Sequence, residues 1–408
     1  MMVSRHQRND LAMFLQQADY EWAVKLNRYS LNLVGLWPTS RQTQRDNLIC
    51  NLRTLFTFLL IMIVIMIPAI HSIIRVRSHF FIVIDNMQFT LPVTSTVLKL
   101  VIFWRKKPDV KVLIDMIAYD WMKTKTCHER MIMISRAQTA RIIHICGYSI
   151  LMMALFATGV LPIFGYSMRY ITNITDPGRP LPMQTYYIFD TIKSPRYELT
   201  YIFQTIAMIC CGMPYIGVDN FLSLLIFHIS GQLDILENRL ANLNNNTNYV
   251  VILKNCIMDH VRLLRAIIII ENIFNMILFV LFIYFGMVFV IQGVYMMSLL
   301  EDGFHLSVSQ VMYIITIVSN IFGHMCIYCA VGEFLTAQCG RIHDAAYCNK
   351  WYTLQLKDMR KLILLMAKTN KPLYLTAGKV LPLTLTTFCS LLKTSAGYIS
   401  VLLTAKNL

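Results

Sequence analysis

Residues 373–405 read LYLTAGKVLPLTLTTFCSLLKTSAGYISVLLTA. A run this long and this poor in charge is expected to cross a bilayer as a helix. On that helix Ser390, Thr394, Gly397, Val401 and Thr404, with Ala405 beside it, recur every three or four residues and share one small, partly polar face. In lipid such a face serves either as a tight seam with another helix or as the wall of a watery path. The residues alone leave both open.

Just before it, AAYCNKWYTLQLKDMRKLILLMAKT (345–369) places Trp351, Leu354, Met359, Leu362, Ile363 and Met366 at helical spacing, with Lys357, Arg360 and Lys361 elsewhere. That pattern predicts an amphipathic helix, stopped at Lys371-Pro372. Near the other end of the chain, Trp22, Leu26, Tyr29, Leu33 and Leu36 are spaced for one apolar face before Trp37-Pro38, a helix suited to the membrane interface.

The chain has 408 residues, is 56% hydrophobic and only 14% charged, and has a mean hydropathy of +0.53. These values exclude a soluble globule and predict an all-α polytopic membrane protein. Spans are expected at 54–74, 80–104, 140–165, 201–229, 266–299, 308–335 and 373–404. The second is the least apolar, carrying Asp85, Asn86, Gln88 and Lys99. The first is expected to act as its own insertion signal.

Charge then sets the orientation, because Lys and Arg collect on the cytoplasmic side. With the N-terminus inside, the inward segments carry twenty-seven Lys and Arg and the outward segments seven. The expected order is therefore a cytoplasmic segment (1–53), six spans (54–335), a cytoplasmic anchor helix (336–372) and a seventh span (373–408) ending outside. The eleven cysteines avoid the long candidate outer loops, so no external disulfide framework is expected, and CIYC at 326–329 reads as small residues of a span. No nucleotide loop, zinc-ligand cluster or nucleophile elbow is present, and the reading includes neither catalytic residues nor a cofactor or metal. The four prolines and several aromatics of 166–200 predict a packed lid, and Asn173-Ile174-Thr175 is a glycosylation sequon there. A second sequon at Asn245 falls on the inward side. Asp85, Asp219, Glu333, Lys379 and Lys393 are ionisable groups in or at the ends of spans.

KPLYLTAGK, LTTFCSLLKTS and GYISVLL, preceded by Tyr347 and Trp351-Tyr352, resemble the C-terminal signature of insect odorant receptors, and LVGLWP (33–38) resembles their N-terminal motif. The resemblance implies a subunit of a tetrameric, odorant-gated, non-selective cation channel in the plasma membrane of olfactory sensory neurons. It implies a volatile apolar ligand and a heterotetramer with a shared co-receptor. The short 230–265 segment makes this chain the ligand-tuned partner. It places the constriction at Val401, with Thr404 and Ala405 at the mouth and Gly397 where the family often has serine.

The ligand pocket of that family lies among the second, third, fourth and sixth spans. On this chain that region offers Phe81, Ile84, Phe156, Val160, Tyr201, Gln204, Met208, Tyr313, Ile317 and Asn320. Taken singly, each of these reads as core packing rather than as a ligand contact, and only the region is expected to hold the ligand. Two alternatives stay open: a gustatory-type relative of the same channels, and a seven-span receptor coupled to G proteins. The second needs the opposite orientation and lacks its usual Asp-Arg-Tyr and Asn-Pro-x-x-Tyr marks here.

Overall fold

The computed structural model describes residues 5–38, 43–165, 179–189, 191, 193–243, 249–301, 308–349, 351–370 and 373–406, with side chains described except at 5–12, 80–81, 294–301, 308–314, 353, 402–403 and 405–406. Helices dominate: α1 (Arg5–Leu33), α2 (Gln44–Ile61), α3 (Ile67–Arg75), α4 (Phe80–Arg105), α5 (Lys107–Met122), α6 (Cys127–Gly159), α7 (Arg196–Ala241), α8 (Tyr249–Glu301), α9 (Val308–Tyr347), α10 (Leu356–Thr369) and α11 (Leu385–Lys406). Among the described residues six helical runs are long and apolar enough to cross a membrane: Gln44–Arg75, Ile82–Arg105, Cys127–Phe164, Arg196–Ala241, Tyr249–Gly293 and Ile315–Tyr347. They coincide with the first six expected spans. The 22-residue α11 adds a seventh helix of about 33 Å, enough for a hydrocarbon core of about 30 Å.

Helix α7 is the central post. Of its most apolar window 78% is buried, against 11% for α6, and it packs on α1, α4, α6, α8 and α9. Residues 216–236 are buried on nearly every side, and the polar groups among them, Asp219, His228 and Asp234, pair with side chains of neighbouring helices rather than with water.

Prolines shape the bundle. Pro68 has no N–H, so the Val64 carbonyl four residues earlier loses its helical donor. The chain passes through a π turn at Met62–Met66, and the Tyr187 hydroxyl donates to the Val64 carbonyl at 2.8 Å. The Tyr186 N–H donates to the Pro68 carbonyl at 3.1 Å, so the described part of the 166–200 loop is fastened onto this bend. Leu181, Met183, Gln184 and Thr185 are buried there. Asn173 and Asn245 lie outside the described residues.

At the opposite end, charged side chains join the helices. The Asp120 carboxylate of α5 lies 3.1 Å from His228 Nε2 of α7 and receives an Arg262 N–H from α8. Asp234 of α7 pairs with Arg136 of α6 at 2.8 Å and Arg341 of α9 at 3.1 Å. Burial alone raises the Asp120 carboxyl, but the hydrogen bonds and charge of His228 and Arg262 outweigh it and hold the group below its ordinary value.

Two expectations are corrected. The last span is not helical from residue 373. Residues 376–382 form a two-stranded hairpin, β1 (Thr376–Ala377) and β2 (Leu381–Pro382), pairing Thr376 with Pro382 and Ala377 with Leu381. Gly378 and Lys379 turn it at φ +63° and +61°, so Lys379 sits on an exposed turn rather than in a span. The Gly378 N–H donates to the Asn275 carbonyl and the Thr376 hydroxyl to Glu271, and these bonds to α8 hold the hairpin down.

Helix α9 runs on to Tyr347, so 336–347 continues the sixth span, and Trp351–Thr353 is a short 3₁₀ turn ahead of α10. Helix α1 presents Trp22, Tyr29 and Leu33 of its apolar face outward and buries Ala23, Val24, Asn27, Ser30, Leu31 and Val34. Small residues allow close approach to α7, where Leu31 and Ser30 lie against Gly217, and the large apolar residues are left for the surroundings.

Candidate functional site

A cavity of about 470 Å³ lies among α4, α6, α7 and α9, near the end closed by the loop. Most of its wall is apolar. Of the residues singled out by sequence, Phe156, Met208, Ile317 and Asn320 line it. Phe156 is 55% exposed, so its ring stands at the rim between cavity and exterior.

The others do different work. Gln204 is fully buried and ties down the lid: its Nε2 donates to the Thr185 hydroxyl at 2.6 Å and the Tyr187 hydroxyl at 3.0 Å, and its Oε1 accepts the Met183 N–H at 3.1 Å. The Tyr201 hydroxyl donates to the Gly159 carbonyl at 2.9 Å and clamps α7 to the end of α6. Ile84 is buried outside the cavity wall, and the half-buried Val160 closes the end of α6 through its N–H to the Phe156 carbonyl. The side chains of Phe81, Tyr313 and Ala405 lie outside those described.

Sequence reasoning missed several wall residues: Gln88 and Thr96 on α4, Tyr215 on α7, Tyr284 on α8, and His324 on α9. The available signal was polarity inside an apolar span, which had marked Gln88 and Lys99 only as weaknesses of the second span.

Lys99 and Asp219 form a buried ion pair behind the Tyr215 part of the wall. Lys99 Nζ lies 2.7 Å and 2.6 Å from the two Asp219 oxygens, donates to the Tyr215 carbonyl at 3.2 Å, and sits 4.2 Å from the Tyr215 ring centroid. Lys99 is 1% exposed and Asp219 8%. Each charge makes the other tolerable away from water, and together they register α4 against α7. His324 Nδ1 lies 3.1 Å from Asn320 Oδ1, one turn away along α9.

Helices α8 and α9 run from the cavity wall to α11. On α8, Tyr284 lines the cavity and Gly286 lies against Leu391 of α11, while Gly293 lies against Ile399. On α9, beyond the wall residues Ile317, Asn320 and His324, Gly332 lets the Leu383 backbone come close, and a Cβ there would meet the Leu383 carbonyl oxygen at 2.7 Å. One residue on, the Glu333 carboxylate accepts the Leu385 N–H at 2.9 Å and caps α11 alongside Thr384, whose hydroxyl accepts the Thr387 N–H.

On α11, Phe388, Leu391, Leu392, Ser395 and Ile399 face the bundle to different degrees, with Ser395 buried. Ser390, Thr394, Gly397, Val401 and Thr404, the face singled out in the sequence, are all exposed. Val401 is 65% exposed, and nothing lies within 4 Å of a Cβ built on Gly397. Among the described residues no cluster of His, Cys, Asp and Glu is placed to hold a metal ion.

Comparison with known proteins agrees with this architecture. The chain is 27% identical over 222 residues to odorant receptor 10 of Aedes albopictus and 25% identical over 246 residues to odorant receptor Or2 of Anopheles gambiae. These matches take in 52% and 55% of this chain and 57% and 61% of those proteins, so they span little more than half of the relatives' length. The fold superposes on the insect olfactory receptor OR5 of Machilis hrabei, solved with and without eugenol, at a TM-score of 0.80 in both cases. Identity there is 15% and 16%, with 96% and 94% of this chain and 99% of that one covered. The relatives are named as odorant receptors, not enzymes. A family model described as 7tm Odorant receptor matches residues 81–396, well over half of the chain, and the chain therefore belongs to the insect odorant receptor family.

Proposed function

We propose that this chain is the ligand-tuned subunit of an odorant-gated, non-selective cation channel in the plasma membrane of olfactory sensory neurons. The observation that carries the reading is a pair of features joined by shared helices: the largely apolar cavity, and the uncovered small-residue face of α11. In this reading the N-terminus is cytoplasmic and α11 ends outside, as the Lys and Arg bias favours. Four chains, this one together with a shared co-receptor, surround one pore with their α11 helices. Val401 forms an apolar constriction that blocks ions by dewetting, with Thr404 and Ala405 at the mouth. Gly397 adjusts the bend of the helix, and Asn173 carries the external glycan.

The related OR5 was solved with eugenol, which supports a small volatile ligand for the cavity here. Phe156, Met208, Ile317 and Asn320 contact it, while Gln204 and Tyr201 hold the wall and lid in place. A ligand favours opening only through its difference in affinity between the two arrangements, so it must reposition the α8 or α9 wall as α11 moves outward.

The test is to record current from cells making the full chain with and without an insect co-receptor, across a broad volatile panel, for wild type and Val401→Ala. Fast odorant-evoked cation current that needs the co-receptor and survives blockade of G-protein signalling, with leak or altered gating in the variant, supports the reading. Responses abolished by that blockade, with Asn173 not external, refute it in favour of a receptor coupled to G proteins.

A further inference from the structure

Pro92 lies inside α4 and on the cavity wall, and its ring nitrogen has no hydrogen to donate. The carbonyl four residues back, that of Gln88, therefore loses its helical donor. The Gln88 side chain is on the same wall and is 7% exposed, and its Oε1 is buried without any hydrogen-bond partner. One buried acceptor, Gln88 Oε1, thus stands on the wall one turn before Pro92 with no donor supplied by the protein.

Three nearby hydroxyls are committed elsewhere. Thr96 donates to the Pro92 carbonyl at 2.9 Å, Thr90 to the Asn86 side chain at 2.7 Å and Thr158 to the Ala154 carbonyl at 2.8 Å. On the α9 wall the Asn320 oxygen already faces His324 Nδ1. Leaving a buried acceptor unpaired is costly in an apolar setting, and a site that holds one discriminates against molecules unable to satisfy it.

We infer that Gln88, one turn before Pro92 on α4, is a specificity-determining residue that accepts a hydrogen bond from a hydroxyl-bearing volatile, an alcohol or a phenol, bound in the cavity. The inference deepens the proposed function and rests on the cavity being the odorant site. A matched ether or hydrocarbon fills the same apolar volume but leaves Gln88 Oε1 unpaired. The selection therefore falls on the donor hydrogen rather than on size.

The experiment records current from cells making the full chain with an insect co-receptor. The probes are matched triples of alcohol, methyl ether and hydrocarbon on linear, branched, alicyclic and aromatic skeletons. Wild type is compared with Gln88→Met, which keeps the length and removes the amide, with Pro92→Ala, which returns a helical donor to the Gln88 carbonyl, and with Ile317→Trp, which fills the cavity from the opposite wall.

The expected result is that alcohols are more potent than their ethers by about tenfold in wild type, and that the gap closes in Gln88→Met and narrows in Pro92→Ala. Equal potency of alcohols and ethers in wild type overturns the inference. So does a gap that survives Gln88→Met while Ile317→Trp abolishes or shifts every response, since the pocket then stands and only the role of Gln88 falls. Responses untouched by Ile317→Trp remove the pocket reading and this inference with it.

Discussion

Asp219→Leu should be among the most damaging single substitutions in the membrane-embedded part of the chain. The two Asp219 oxygens lie 2.7 Å and 2.6 Å from Lys99 Nζ, with Lys99 1% exposed. At that separation and an effective dielectric of about 20 the attraction is roughly 6 kcal/mol, which offsets desolvation of several kcal/mol for each ion. Removing Asp219 leaves the ammonium with the Tyr215 carbonyl and ring as its remaining partners and should cost about 3–5 kcal/mol. Replacing both, as Lys99→Met with Asp219→Leu, removes both desolvation terms and should bring stability back to within about 1 kcal/mol of wild type.

The assay is the thermal midpoint of the detergent-solubilised protein, followed by size exclusion, for wild type, both single variants and the double. Surface expression in cells is read in parallel. The single variants should unfold several degrees early and the double close to wild type. Singles as stable as wild type, or a double that adds the two losses, would refute the claim that these charges exist for each other.

Three further outcomes follow from other contacts. Gln204→Leu removes three hydrogen bonds between α7 and the lid; it should weaken odorant potency and speed current decay while the chain still reaches the surface, and unchanged decay would argue against a lid. Gly332→Ala drives a Cβ to within 2.7 Å of the Leu383 carbonyl oxygen, so the start of α11 must shift at a cost of about 1–3 kcal/mol; the measurement is evoked current per surface-labelled chain, expected to fall several-fold. Asp120 has its carboxyl held below the ordinary value, so its contribution to stability is present above the unfolded pKa of about 4 and is lost as pH falls through the folded value. Asp120→Asn should lower the thermal midpoint at neutral pH and flatten its acid dependence, which a pH series of thermal unfolding on the solubilised protein reads directly.

How much was legible in the sequence varies from place to place for physical reasons. A lipid-crossing helix must satisfy its backbone internally and cover about 30 Å with apolar side chains, so the first six spans could be read from length and hydropathy alone. The exposed face of α11, Ser390 to Thr404, was legible because a single helix writes its faces into its own spacing. The same arithmetic failed at residues 373–384. There a Gly-Lys turn and the pairing of Thr376 with Pro382 overrode an apolar run, and the bonds that decide it come from Glu271 and Asn275, about a hundred residues away.

Apolarity by itself separates membrane from water but not one neighbour from another. Trp22, Tyr29 and Leu33 face outward, as large apolar residues can in a bilayer, while Ser30 lies against Gly217 of α7. For the same reason sequence found the right helices for the cavity and only some of its wall. Gln204 and Tyr201 turned out to be fasteners, and Lys99, a blemish in its own span, is explained by an aspartate 120 residues away. The sequence by itself determined the number of crossings, the charge bias between the two sides and the character of the last helix. Which polar groups find partners, and which, like Gln88 Oε1, are left facing a cavity without one, was decided only by tertiary structure, because that depends on distances between helices that no local pattern encodes.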